Sequence, residues 1–320
     1  MRVFVTGMGG ELGTRVAALL DAAPFVDEVA GVDREPPRRR LQRARFRLVE
    51  PLDRRRMVAA VRDFDPTAVV HCGVYEPNAR SSPRAAAART EAATVAALGA
   101  AAQCRSLDRI VVRSGIEVYG RRRGGPTRPD EGAPADPTSP FGRSLAAAEA
   151  VAADAARAAR CTVALVRMAP VVGPHFPSPL GRYLRLPVVP VSAAADPPFS
   201  LLHQEDAAAA LVAALDRAVD GPVNVVGAGA VTASQAARMG GRAPLPVGGP
   251  LWRAARALAE VAGAPVPDHV HELLARGRTA DGGRAADLLG EAPLTSTPEV
   301  VKALYEWATV TYLRPVEEAA

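Results

Sequence analysis

Residues 6–13 read TGMGGELG and follow the apolar residues 3–5 at the start of the 320-residue chain. In this spacing Gly7 permits a sharp exit from a strand, Gly10 lets a phosphate approach the backbone, and Gly13 lets the next helix pack closely on the sheet. That helix, expected over residues 12–21, directs its free N–H groups and positive dipole end at an anion. The segment therefore predicts a pyrophosphate-binding turn rather than an ordinary structural one.

A second expected strand, residues 28–32, ends in Asp33. An acidic residue about 20 positions beyond the last glycine is where a dinucleotide-binding unit holds the ribose hydroxyls of adenosine. A carboxylate there repels a 2′-phosphate and favours NAD, while Arg34 and the arginines at 38–40 keep NADP compatible with the sequence. Strand, loop, helix, strand and acid thus predict a dinucleotide-binding domain.

Strand-like and helical segments alternate through the first half of the chain. Strands are expected at 2–5, 28–32, 46–49, 68–72, 109–112 and 162–167, and helices at 12–21, 54–64, 85–103 and 142–159. The alternation predicts an α/β fold, a Rossmann-type doubly wound parallel sheet with ligands at the carboxyl ends of its strands.

The amino-acid composition changes in the second half of the chain, where prolines cluster at 174–198 and 244–267. Such clusters indicate loops and short elements. We expect a dinucleotide-binding Rossmann domain over 1–173 and a smaller, interleaved substrate-binding lobe over 174–320. A helix at 205–218 and a strand at 223–226 would return to the first domain.

Composition excludes several classes of protein. Hydrophobic residues make up 48% and charged residues 23% of a chain with net charge +5, and aromatic residues only 4%. Acidic residues are interspersed with the arginines, so no nucleic-acid partner is expected.

No apolar stretch is long enough to span a bilayer and no signal peptide is visible, so we expect a cytoplasmic protein without membrane contact. Cys72, Cys104 and Cys161 lack metal-ligand spacing and read as reduced thiols, and no metal is expected.

The order of motifs resembles the extended short-chain dehydrogenase/reductases, the family of NAD-dependent sugar-nucleotide epimerases and dehydratases. The resemblance spans nearly the whole chain. It rests on TGMGGELG, VVHCGVYEP at 69–77, RSGIEVYG at 113–120, RMAPVVGP at 167–174, LLHQEDAAAAL at 201–211, PVNVVGAGAVTASQAA at 222–237 and PEVVKALYEW at 298–307. It implies NAD as cofactor, a small-molecule substrate such as a nucleotide sugar, and a homodimer formed through the helices at 85–103 and 142–159.

The catalytic pair of that family is missing. A tyrosine and a lysine four residues apart normally exchange a proton with the substrate, since the ammonium lowers the pKa of the phenol. The matching positions hold Phe141 and Leu145, and the single lysine of the chain is Lys302. No Tyr-x-x-x-Lys sequence occurs anywhere.

Two further family positions are altered. The usual serine corresponds to Gly115, with Ser114 one residue earlier on the expected opposite face of the strand. The usual asparagine of the fourth helix corresponds to Glu91. Ser114, Glu91 and His71 are the candidate catalytic residues that remain, although His71 also fits a packing histidine and Glu91 a solvated helix residue.

We expect the following residues to contact the dinucleotide: Gly7, Met8, Gly9, Gly10, Glu11, Leu12, Gly13, Asp33, Arg34, His71 and Gly73. Three functions remain open. The chain is a divergent enzyme without the usual triad, a non-catalytic NAD-binding sensor or scaffold, or a lyase or isomerase that uses no hydride transfer.

Overall fold

The computed structural model describes residues 1–249, 251–289 and 294–306. Residues 307–320, including the end of the PEVVKALYEW motif and of the expected lobe, lie outside the described residues. The elements follow in the order β1 (Arg2–Thr6), α1 (Glu11–Ala22), β2 (Glu28–Asp33), β3 (Arg45–Leu48), α2 (Arg54–Phe64), β4 (Ala68–His71), α3 (Pro83–Ala101), β5 (Arg109–Gly115), α4 (Pro140–Ala159), β6 (Thr162–Met168), β7 (Val171–Val172), α5 (Pro179–Leu184), β8 (Val188–Ser192), β9 (Leu202–His203), α6 (Gln204–Asp216), β10 (Gly221–Val225), α7 (Ala233–Met239), β11 (Ala243–Val247), α8 (Leu251–Val261), α9 (Asp268–Arg276), α10 (Gly283–Leu289) and α11 (Thr297–Tyr305).

Seven strands form one parallel sheet in the order β10-β6-β5-β4-β1-β2-β3. The order reverses beside β1, which is the switch point where such sheets bind ligands. Strand β10 pairs with β6, so a late segment of the chain completes the sheet. This arrangement confirms the expected doubly wound fold.

Helices cover both faces of the sheet. On one face α1 packs against α6, and Val16, Leu20, Leu211 and Leu215 are fully buried there. On the other face α2, α3 and α4 pack side by side. Strands β1, β2, β4 and β5 are buried along most of their length, which explains why they are continuous apolar runs in the sequence.

A serine followed by proline begins several helices. Ser82 caps α3, Ser139 caps α4 and Ser178 caps α5, each accepting a hydrogen bond from a backbone N–H in the first turn while proline opens the helix. Helices α3 and α4 therefore begin two residues earlier than expected from composition alone.

The second half of the chain builds a separate core. Strands β8 and β11 pair, β7 pairs with β9, and α5, α7, α9 and α11 enclose Leu180, Phe199 and Leu273. Lys302 lies exposed on α11. Within the described ranges, no helix is both long and apolar enough to cross a bilayer.

Candidate active site

The loop between β1 and α1 requires its glycines for different reasons. Gly7 has a φ of +69°, a left-handed conformation that favours glycine. A Cβ on Gly9 would collide with the carbonyl oxygen of Glu35, and one on Gly13 with that of Gly7. A Cβ on Gly10 would meet only the Gly7 carbonyl oxygen at 3.4 Å and Asp33 Oδ2 at 4.0 Å. Gly10 is exposed, so the open side of the loop is the side that a phosphate would approach.

Asp33 ends β2 beside this loop. Its carboxylate accepts hydrogen bonds from the backbone N–H of Gly10 at 3.0 Å and of Arg34 at 2.7 Å, and from the Tyr75 hydroxyl at 3.3 Å. Burial raises the pKa of Asp33, and these hydrogen bonds only partly oppose the shift. The carboxylate is therefore fixed against the glycine loop in the position expected for binding ribose hydroxyls.

Glu11, the acidic residue next to the glycine loop, forms ion pairs with arginines. Glu11 pairs with Arg15 at 2.8 Å and with Arg38 at 3.0 Å, and Arg15 also binds Glu205 on α6. These guanidinium groups offset a negative charge at the N-terminus of α1, where an anionic ligand would bind. Open space at Gly10, the helix N-terminus and Asp33 together fit the pyrophosphate and ribose of a dinucleotide.

His71 lies behind this surface rather than on it. Its ring is fully buried between Thr6 Oγ1 at 2.7 Å and Thr94 Oγ1 at 2.9 Å. Burial, aided by the Arg113 charge, lowers the pKa of His71 to about 4. Thr6 Oγ1 also accepts the N–H of Gly73 at 3.3 Å, so the histidine fixes the end of β4 as a neutral packing residue.

A cavity of about 40 Å³ lies at the carboxyl ends of β4, β5 and β6. Its volume suffices for one or two water molecules. Charged and aromatic side chains line it alongside apolar ones. They include Glu76, Arg113, Glu117, Phe141, Leu145 and His269.

The positions that lack the family tyrosine and lysine face this cavity and are apolar. Phe141 is 8% and Leu145 2% exposed, and both pack with Val74 and Val118. The serine position is closed as well. A Cβ on Gly115 would collide with a carboxylate oxygen of Glu117, so that carboxylate fills the space a side chain would need.

Ser114 belongs to a buried polar network. Its hydroxyl donates to Glu149 Oε1 at 2.5 Å, and Glu149 binds Arg167 through two hydrogen bonds of 2.7 and 2.9 Å. Arg167 also donates to the Tyr119 hydroxyl at 3.0 Å, which in turn donates to Asn224 at 2.8 Å. The network joins α4, β5, β6 and β10, and it occupies the hydroxyl of Ser114.

Glu91 does not reach the cavity. It is exposed on the face shared by α3 and α4, in a shallow groove with Arg143 and Val95. The hypothesis of a catalytic Glu91 depended on its helix turning that residue toward the cleft. The structure places it on the opposite, outward side of the helix pair.

Helix α9 is attached to the sheet at two points. His269 Nε2 lies 2.9 Å from Glu76 Oε1 in the loop after β4. Arg278, only 1% exposed, follows α9 and lies 3.1 Å from Glu117 in the turn after β5 and 2.5 Å from Glu272. These contacts hold α9 and Arg278 against the carboxyl ends of β4 and β5.

Sequence reasoning missed several of these residues. Glu149 had a signal, because positions 141, 145 and 149 are four apart and share one face of α4, which places a glutamate on the buried stripe. Ser139 and Pro140 likewise mark a helix start. No sequence signal marked His269, because it contacts Glu76 only through the tertiary fold.

No group of three or more His, Cys, Asp or Glu side chains in the described part of the chain is arranged to hold a metal ion. The parallel sheet, the glycine loop and the acid that ends β2 define a Rossmann-type protein.

The chain belongs to the NAD dependent epimerase/dehydratase family, whose model matches residues 3–227. It is 33% identical over 264 residues to an uncharacterized protein of Mycobacterium tuberculosis (strain H37Rv), covering 77% of this chain and 68% of that protein.

Solved structures share the fold. The UDP-glucose 4-epimerase of Thermotoga maritima with UDP-glucose is 20% identical, with a TM-score of 0.75 over 96% of this chain and 98% of that chain. A tyrosine-to-phenylalanine mutant of UDP-glucuronic acid 4-epimerase from Bacillus cereus, in complex with a fluorinated UDP-glucuronic acid and NAD, is 18% identical, with a TM-score of 0.73 over 96% and 98%. The UDP-glucose 4-epimerase of Brucella ovis in complex with NAD is 19% identical, with a TM-score of 0.73 over 95% and 97%.

Proposed function

We propose that the protein binds NAD along the carboxyl ends of β1, β2 and β4 and acts on a nucleotide sugar under the second lobe. The observation that carries the proposal is the glycine loop. Gly7, Gly9 and Gly13 are sterically required there, while Gly10 alone is open beside Asp33. Packing within the protein does not explain why the space beside Gly10 is open. A bound pyrophosphate would explain it.

In this proposal NAD would supply the acceptor for hydrogen and its electron pair at the substrate carbon. The chain's own residues bind and orient. Backbone N–H groups of residues 11–13 hold the pyrophosphate, Asp33 holds the adenosine ribose, and Arg34 and Gly73 flank the cofactor. The second lobe excludes water from the cavity. We place the Rossmann domain at 1–173 and the substrate lobe at 174–320, with the segments near 201–226 returning to the first.

The solved neighbours support this substrate class, since two of them are complexes with UDP-glucose or a UDP-glucuronic acid analogue. The proposed homodimer rests on the exposed face of α3 and α4, where Val95 is 46% exposed. We locate the protein in the cytoplasm.

A second candidate, a non-catalytic NAD-binding protein, is favoured by one specific observation. Phe141 and Leu145 replace a proton-transferring pair with an apolar cluster that includes Val74 and Val118. Loss of a positioned acid or base typically lowers a rate by about 10² to 10⁴. In that case NAD would fix a conformation that a partner recognises.

Calorimetric titration with NAD tests the binding. In Gly10→Asp the new side chain has room, so the protein folds, but its charge faces the pyrophosphate. Two unit charges about 5 Å apart repel by roughly 3 kcal/mol at an effective dielectric constant near 20, so affinity should fall at least about 100-fold. Gly99→Asp is the matched control, because a Cβ on Gly99 of α3 meets nothing within 4 Å. Equal NAD affinity in Gly10→Asp and Gly99→Asp would refute the loop assignment.

Turnover separates the two candidates. The wild-type protein with NAD is incubated with UDP-glucose and with UDP-glucuronic acid, and products are separated by chromatography while cofactor absorbance is followed. Conversion of either sugar supports the enzyme. Tight NAD binding with no conversion, and no gain in Phe141→Tyr combined with Leu145→Lys, supports the non-catalytic candidate.

A further inference from the structure

Helix α9 carries His269 to the wall of the cavity, directly against Phe141. The two ring centroids are 4.7 Å apart and the planes are inclined by 41°. Phe141 occupies the position where the family has its tyrosine, so the imidazole lies beside the place that a phenol would occupy. It comes from a different part of the chain than the missing group.

The imidazole is oriented by a carboxylate. Nε2 lies 2.9 Å from Glu76 Oε1, and a carboxylate accepts, so this contact selects the tautomer with the proton on Nε2. Nδ1 is then an acceptor, and it makes no hydrogen bond to any of the described residues. His269 is 4% exposed, whereas the side chain of Glu76 is 23% exposed, so the imidazole is the buried member of the pair. A base held by a second group at the wall of a cavity is the arrangement that acid–base catalysis uses.

A fixed cation faces the same cavity. Arg113 Nη1 donates to the carbonyl oxygen of Val74 at 2.7 Å, and Arg113 forms no ion pair within the described part of the chain. Its remaining N–H groups can bind an oxygen that gains negative charge. The cavity therefore holds one guanidinium group beside the carboxylates of Glu76 and Glu117, although Leu145 has removed the ammonium of the family.

We propose that His269 is the acid–base residue of this site and Glu76 its positioning residue, an inference that rests on the proposed function. NAD, when bound, would supply the acceptor for the hydrogen and electron pair that leave the carbon bearing the substrate hydroxyl, and His269 handles the proton of that hydroxyl. The O–H bond breaks, the proton goes to Nδ1, and the electron pair of that bond completes the carbonyl. Reduction of the carbonyl returns the proton from Nδ1 to oxygen, so atoms and charges balance over the cycle.

Kinetics of two histidine variants test the catalytic role. In H269Q, with NAD and UDP-glucose, we expect kcat to fall about 10² to 10⁴-fold while KM for the sugar and Kd for NAD stay unchanged. The matched control is H271Q. His271 lies on the same helix, its ring is 5.8 Å from that of Trp252, and it does not line the cavity. H271Q should keep the wild-type kcat.

A spectroscopic measurement tests the dyad without turnover. In protein labelled with ¹⁵N at histidine, H269Q identifies the ring signals of His269 among the five histidines. Wild-type protein should show the tautomer protonated at Nε2, and addition of UDP-glucose to the NAD complex should shift Nδ1. E76Q should lose the tautomer preference and lower kcat with KM unchanged.

The outcomes separate this inference from the proposed function. If wild-type protein binds NAD and turns over the sugar but H269Q does so equally fast, the inference fails alone. If wild-type protein binds NAD without turnover, the catalytic role fails and the non-catalytic candidate stands. If it binds no NAD, both fail.

Discussion

Substitution of Glu149 by glutamine should strongly destabilise the protein. The change keeps the shape of the side chain but leaves the Arg167 guanidinium, whose side chain is 8% exposed, without its counterion. Burial alone would lower the pKa of Arg167, but the hydrogen bonds and charge of Glu149 raise it above its usual value. Breaking such a buried pair by removing one partner costs about 3–5 kcal/mol.

This loss of unfolding free energy can be expressed as a decrease in melting temperature. Unfolding entropy near 60 °C is roughly 2.1 cal/mol/K per residue, or about 0.7 kcal/mol/K for this chain, so Glu149→Gln should lower Tm by about 4–7 °C. Scanning calorimetry at neutral pH measures it. The double variant Glu149→Leu with Arg167→Met removes both charges and should recover most of the loss, because replacing a buried pair by apolar residues is often neutral or stabilising.

A second ion pair on α4 provides the control. Asp154 and Arg157 lie 3.0 Å apart with side chains 71% and 76% exposed, so Asp154→Asn should cost less than about 1 kcal/mol. A Tm for Glu149→Gln equal to that of Asp154→Asn would refute the claim that the network stabilises the sheet.

Two further predictions concern the strand ends. His71 is neutral in the fold, with a pKa lowered from 6.5 to about 4, so the unfolded chain binds the extra proton between these values. Stability is therefore full above pH 6.5 and should fall by about 3 kcal/mol as pH drops to 4, and urea denaturation of His71→Asn should show a weaker dependence. Gly115→Ser should lower stability by about 1–3 kcal/mol because its Cβ collides with Glu117. A Gly115→Ser Tm no lower than that of Gly99→Ser would contradict this packing.

Local sequence predicted the parts of the structure that depend on local chemistry. The glycine spacing, Asp33 and the alternation of apolar runs with alanine-rich helices determine the sheet and its loop because each acts through neighbours in the chain. The family motifs likewise placed Phe141 and Leu145 at the cavity. These features need no knowledge of which distant segments meet.

The candidate site depends on contacts across the chain. Glu76 and His269 are 193 residues apart, and the contact of Arg278 with Glu117 also joins the two halves. Neither pair has a spacing that a single sequence reveals. Glu91 shows the converse, since an acidic residue in a promising motif position turned outward once α3 packed against α4.

Lys302 is the only lysine of the chain, and it is exposed on α11. The α-amino group of Met1 is the other amine, and it is held in an ion pair of 2.7 Å with Asp27. An amine-reactive fluorophore will therefore attach to one side chain only, that of Lys302. A fluorophore on this single lysine would report changes in its surroundings on α11 without the introduction of a mutation.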